Sequence, residues 1–139
     1  MSTPTPSPAK PLPIPNTETA PFWDAAREGR LLVQRCRACG EHIFYPRLLC
    51  PHCMSDALEW VETSGRGTVY SFTIVHKAPP GFRDEAPYAV GLVDLAEGPR
   101  LMTRILADDL DRISVGLPVE VSFTSAGGGI DLPVFRACS

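Results

Sequence analysis

Four cysteines, Cys36, Cys39, Cys50 and Cys53, form two C-x-x-C pairs with ten residues between them. This spacing constrains the chain more than any other feature. Each pair places two thiolates on one tight turn, and two such turns brought together give the tetrahedral sulfur site that Zn²⁺ favours when no coordination position is left open. A closed Cys₄ site is structural, so the spacing predicts one structural Zn²⁺ and a ribbon built around it. Gly40 follows the second sulfur of Cys36-Arg37-Ala38-Cys39 and supplies the permissive backbone a knuckle needs there.

Disulfides or four free thiols are the competing readings of the same residues. Disulfides require an oxidising compartment, yet the N-terminus shows no charged segment followed by the apolar stretch of a secretory signal. A redox C-x-x-C usually comes singly at a helix start, whereas here the motif is doubled and Glu41 to Leu49 reads as a hairpin. His42 and His52 lie beside the knuckles and offer alternative ligands.

At 139 residues the chain has room for one modest core, and 44% of its residues are hydrophobic. No apolar run approaches the roughly 20 residues that span a bilayer, which points to a soluble, cytoplasmic protein. The net charge of −3 gives no overall attraction to nucleic acid or anionic membrane. The ribbon region is nevertheless locally basic, with Arg27, Arg30, Arg35, Arg37 and Arg47 set against Glu28 and Glu41. A solvated surface around the metal or a contact for phosphates would each use that charge.

Prolines at 4, 6, 8, 11, 13 and 15 make residues 1–20 a disordered, polyproline-like tail. Residues 21–65 then read as a helix plus the ribbon. Pro21 to Glu28 forms the helix, with proline at its first position, Gly29 just past its end, and Phe22 and Trp23 as anchors for this chain's core or for a partner. Strands are expected at Leu31–Gln34, Ile43–Tyr45 and Leu58–Glu62. From residue 66 to 139 the pattern is a meander. Thr68–Val75, Tyr88–Leu95, Leu101–Leu106, Val119–Phe123 and Leu132–Arg136 read as strands, with a helical connection at Asp108–Ile113. In the first of these, Tyr70, Phe72 and Ile74 share one face by strict alternation.

Five strands with a helical link between the third and fourth outline an OB-type barrel. The fold class is therefore mainly β: an N-terminal helix and a rubredoxin-like zinc ribbon, then a five-stranded OB-fold barrel. The zinc acts as a staple for a ribbon too small to own a core, so the barrel should keep its sheet when the ribbon unfolds.

No catalytic constellation stands out. His76 has no partner beyond Lys77, Cys138 sits near the C-terminus without a neighbouring base, and Gly127–Gly129 lacks the Lys-Ser/Thr of a phosphate loop and reads as a flexible loop. In the loop Lys77–Pro87, Phe82 and Arg83 project from a Pro-Pro-Gly turn, either to cap the core or to touch a ligand or partner.

Helix, four-cysteine ribbon and barrel, in this order, resemble the acyl-CoA-associated zinc-ribbon/OB-fold proteins, long catalogued as a domain of unknown function. The likeness covers about Pro21 to Ala137. It rests on Phe22-Trp23 with Gly29 and Leu31, Cys36-Arg37-Ala38-Cys39-Gly40, Tyr45-Pro46-Arg47 with Cys50-Pro51-His52-Cys53, and Gly67-Thr68-Val69-Tyr70-Ser71-Phe72-Thr73. The proline-rich tail departs from it. The resemblance implies zinc on all four cysteines and a noncatalytic accessory subunit. Its expected partner is a thiolase-like enzyme, including aldolases acting on steroid side-chain CoA esters, or a hot-dog-fold enoyl-CoA hydratase.

On that reading the chain binds and stabilises its partner in a hetero-oligomer, with Arg35, Arg37 and Arg47 as candidates for holding CoA phosphates. The alternative is a single-stranded nucleic-acid module, since ribbons and OB barrels also serve that purpose. From Gly67 onward, six Lys/Arg stand against nine Asp/Glu, which opposes it.

Overall fold

The computed structural model describes residues 13–127 and 129–138. Most of the proline-rich tail, residues 1–12, lies outside the described residues. Just before the helix, Asn16 and Thr19 lock a turn by exchange: the Thr19 N–H donates to Asn16 Oδ1 (2.9 Å) and the Asn16 N–H to Thr19 Oγ1 (3.0 Å). Helix α1 (Ala20–Arg27) follows, with Pro21 in its first turn.

Phe22, Ala25 and Ala26 are the buried residues of α1, at the i, i+3, i+4 spacing of one helix face. The two alanines leave little side chain between the helix and the strands beneath. The helix lies on this chain's own core, against the ribbon and the last strand of the barrel.

Strand β1 (Leu32–Cys36) is the centre of a three-stranded antiparallel sheet, flanked by β2 (His42–Ile43) and β3 (Leu58–Glu62). The β2 strand is shorter than its apolar pattern suggests, because pairing stops after Gln34↔Ile43 and the chain turns toward the second knuckle. Thr63 ends the ribbon, where its hydroxyl donates to the Leu31 carbonyl (3.0 Å). The Ser64 N–H donates to Glu97 Oε2 (2.9 Å), and the Gly65 carbonyl accepts from the Val121 N–H (2.7 Å). The connection between ribbon and barrel is thus bonded along its length.

The barrel is closed, in the order β4 (Arg66–Val75), β5 (Tyr88–Leu95), β6 (Arg100–Leu106), β8 (Ile130–Ala137), β7 (Pro118–Gly127). A parallel β6–β8 pairing completes the ring on one side and an antiparallel β4–β7 pairing on the other. The expected helical link is one turn of 3₁₀ helix, Leu110–Arg112, in which Asp109 caps through the Asp111 N–H. Of the glycines expected to form a flexible loop, Gly128 lies outside the described residues; Gly127 ends β7 and Gly129 (φ 77°) immediately precedes β8, so both strands run longer than their apolar cores.

Strand β4 corrects the expected alternation. Its register against β5 shifts between Val69 and Ser71, so Tyr70 is the extra residue of a β-bulge. Val69 is buried and faces Val93, while Phe72 and Ile74 lie opposite buried Gly91 and Ala89. Tyr70 is therefore turned out, 48% exposed, under the Arg100 guanidinium at 3.4 Å. Gly91 allows the close approach: a Cβ there would stand 2.5 Å from the Ser71 carbonyl oxygen and from Ile105 Cδ1.

Phe22, Leu31 and Val33 belong to the same buried cluster as Val69, Val93, Leu101, Ile105 and Phe135. Helix, ribbon and barrel share one core. A second small cluster, Cys36, Ile43 and Cys50 with Leu58 packed on it, lies under the cysteines.

Candidate metal centre

Strand β1 delivers Cys36 at its end, and the chain then makes two turns of the same design. In the first, the Gly40 N–H donates to the Cys36 carbonyl (2.8 Å) and the Cys36 N–H to the Glu41 carbonyl (2.9 Å). In the second, the Met54 N–H donates to the Cys50 carbonyl (2.8 Å) and the Cys50 N–H to the Ser55 carbonyl (2.8 Å). The Cys36 and Cys53 sulfurs are 3.6 Å apart and those of Cys39 and Cys50 are 3.7 Å apart, with all four inside 4.8 Å of one another. Zn–S bonds of about 2.3 Å in a tetrahedron require sulfur separations of about 3.8 Å, so the residues fit a zinc ion. Cys36 and Cys50 are buried, Cys39 and Cys53 exposed.

Backbone amides point at these sulfurs. Those of Cys39 and Ala38 pull the Cys36 thiol down to about 6 against the cost of its burial. The Glu41 amide acts the same way on Cys39, but burial and the neighbouring sulfurs push that thiol up to about 12. Cys53 likewise receives the Ser55 amide, yet the Cys36 sulfur and burial raise it. Adjacent thiolates repel one another, so Cys36 ionises easily while Cys39 and Cys53 hold their protons. A divalent cation removes that conflict and binds all four as thiolates. His42 and His52 stand outside the four-sulfur cluster.

The side-chain amide of buried Gln34, also on β1, fixes the loop between the knuckles. Its Nε2 donates to the Arg47 carbonyl (2.9 Å) and its Oε1 accepts the Arg47 N–H (2.7 Å). An aromatic series connects this loop to the core: Tyr45 contacts Phe44 at 4.5 Å, Phe44 contacts Phe22 at 5.8 Å, and Phe22 meets Trp23 edge-on at 4.9 Å. Nothing in the local pattern around Gln34 marked it as a buried clamp.

The candidate arginines have different surroundings. Arg35 is paired with Glu59 across β1 and β3 (3.2 Å). Arg37 and Arg47 are exposed and form no ion pair with the described carboxylates. Two further cations, Lys77 and Arg83, lie in the β4–β5 loop, where with His76 and Ala78 they line a cavity of about 350 Å³. Phe82 of that loop is half-buried against Tyr88 (6.4 Å).

On the outer barrel face, two arginines are already engaged. Arg100 donates to both oxygens of Asp94 (2.6 and 3.2 Å) while covering Tyr70; Arg104 pairs with Glu85 (2.7 Å) and covers Tyr88 at 4.2 Å. Cys138 is exposed, and it lines cavities at one end of the barrel beside Arg136. No described helix is long and apolar enough to cross a membrane.

A four-thiolate ribbon fused through one core to a closed five-stranded barrel defines a zinc-ribbon/OB-fold protein with a structural zinc site. Residues 23–59 match the family model described as "ChsH2, rubredoxin-like zinc ribbon domain", and residues 60–124 match "ChsH2, C-terminal OB-fold domain". A DUF35 domain-containing scaffold protein of Methanothermobacter thermautotrophicus is 35% identical over 109 residues, covering 77% of this chain and 82% of that one. The chain belongs to this ChsH2-type, or DUF35, family of zinc-ribbon/OB-fold proteins.

Two further similarities bear on its role. A probable enoyl-CoA hydratase alpha subunit of Thermomonospora curvata is 41% identical over 132 residues, which cover 94% of this chain. The match spans only 41% of that subunit's length. A chain of the solved structure described as "Ltp2-ChsH2(DUF35) aldolase" superposes with a TM-score of 0.80 at 41% identity, covering 91% of this chain and 98% of that one.

Proposed function

We propose that this protein is a noncatalytic subunit that binds and stabilises an acyl-CoA-processing enzyme. The partner would be a thiolase or aldolase, or an enoyl-CoA hydratase, acting on steroid side-chain or other lipid acyl-CoA esters. The observation that carries this reading is the match, in sequence and in shape, over 91% of this chain and 98% of a chain of the "Ltp2-ChsH2(DUF35) aldolase" structure. The metal chemistry agrees, because four cysteines fill a tetrahedral ion and leave no position for substrate or water. Four thiols kept for metal suit the reducing cytoplasm.

Coexpression with Ltp2, and in parallel with an enoyl-CoA hydratase subunit, tests the proposal. A stable complex on size exclusion with either enzyme, and a loss of that enzyme's solubility or activity without this chain, are the expected results. No complex with either would overturn it.

Acyl-CoA would be held in part by this chain. Arg35, Arg37 and Arg47 remain the ribbon candidates for its phosphates, with Arg37 and Arg47 the better placed because Glu59 occupies Arg35. The cavity lined by His76, Lys77 and Arg83 favours a second location in the β4–β5 loop. Calorimetry of CoA with an Arg37→Glu/Arg47→Glu variant and with a Lys77→Glu/Arg83→Glu variant separates the two, and unchanged binding in both would remove CoA contact from this chain. The single-stranded nucleic-acid alternative gains nothing from the barrel face, whose Arg100 and Arg104 are neutralised and cover the two tyrosines that a base would stack on.

A further inference from the structure

The two knuckles share one backbone turn, and the residue that closes each turn has a positive φ: 81° at Gly40 and 65° at Met54. Glycine adopts this conformation freely. A residue with a Cβ meets its own carbonyl there, and long side chains are seldom found at such positions. Met54 is the only non-glycine residue with positive φ among the described residues. Its side chain repays none of that strain inside the fold, since it is 67% exposed. The first knuckle shows that glycine satisfies the same hydrogen bonds, so the turn itself does not call for a methionine.

Its neighbours indicate what does. Tyr45 (55% exposed), Leu48 (68%) and Leu49 (45%) accompany Met54, so four of the eight exposed large apolar side chains among the described residues fall between positions 45 and 54. Exposed apolar side chains gathered within ten residues of sequence are what an interaction site requires. The segment is also held in shape before any contact, by the Gln34 clamp on Arg47, by the four-cysteine cluster and by Tyr45 on Phe44. A surface that is already ordered loses less entropy on binding. Arg47 within this segment, and Arg37 next to Cys36, whose sulfur is 3.6 Å from that of Cys53, form no ion pair with the described carboxylates and add positive charge.

We propose that the second-knuckle face, Tyr45, Leu48, Leu49 and Met54 with Arg37 and Arg47, is the surface that docks the partner enzyme. Met54 inserts into an apolar pocket of that enzyme, and carboxylates around the pocket meet the two arginines. The proposal rests on the partner-subunit reading above and assigns it a face.

The decisive variant is Met54→Gly, which removes the contact and relieves the turn at once. With Ltp2 or the hydratase subunit as probe, whichever binds the wild-type chain, affinity is expected to fall by about ten-fold or more. Zinc content stays at one ion per chain, and the thermal midpoint of the free chain rises by about 3 °C. Leu48→Ser should weaken binding in the same way without moving the midpoint. If both variants bind like wild type, the face is not the docking surface, although the partner-subunit reading stands. A lowered midpoint for Met54→Gly would show that methionine serves the fold and would overturn the proposal. A wild-type dimer in light scattering that Met54→Gly dissolves would give the face to a second copy instead. Failure of the wild-type chain to bind either enzyme removes the partner-subunit reading and this proposal with it.

Discussion

Gln34 holds Arg47 by both backbone groups at once, donating from Nε2 to its carbonyl and accepting its N–H at Oε1 (2.9 and 2.7 Å). The two residues are thirteen positions apart, and Gln34 is 6% exposed. A polar side chain is stable at that depth because its hydrogen-bonding groups are satisfied.

Gln34→Leu keeps a similar volume and removes both bonds. We expect a loss of about 1–3 kcal/mol in urea unfolding of the zinc-loaded chain, since the Arg47 groups lose partners that water only partly replaces. Equal stability of variant and wild type would show that the clamp is incidental.

The shared core changes what zinc removal should do. The sequence predicts a barrel that survives loss of the ribbon, but Phe22, Leu31 and Val33 are buried together with Val69, Leu101 and Phe135. Cys36→Ser should abolish stoichiometric zinc and also lower the thermal midpoint of the barrel's sheet signal by about 5 °C or more. A barrel transition unmoved by the substitution would mean that the two parts are energetically separate.

The bulge at Tyr70 makes neighbouring substitutions unequal. Val69→Ala should cost about 2 kcal/mol, because a fully buried side chain is truncated, whereas Tyr70→Ala should cost a small fraction of that. Under strict alternation the order would be reversed, so a pair of denaturation curves decides the register.

Gly91→Val should be the most damaging substitution on β5. Its Cβ would lie 2.5 Å from a backbone oxygen of β4, which moves only if the strands separate. We expect a loss of about 3 kcal/mol or failure to fold, read by circular dichroism. A stable, folded variant would mean that β4 and β5 have more freedom than the bulge geometry allows.

The sequence alone determined the metal and the architecture. Paired C-x-x-C spacing is a local chemical requirement, and period-two alternation is a local geometric one, so Cys36, Cys39, Cys50, Cys53 and the order of the strands were legible without coordinates. Tertiary structure decided the rest. The extra residue at Tyr70, the burial of Gln34, the union of Phe22 with the barrel and the left-handed turn at Met54 all depend on partners distant in sequence or on the closure of a turn. Composition and periodicity do not encode such contacts, because each is set by which surfaces meet when the ribbon, helix and barrel close over one core.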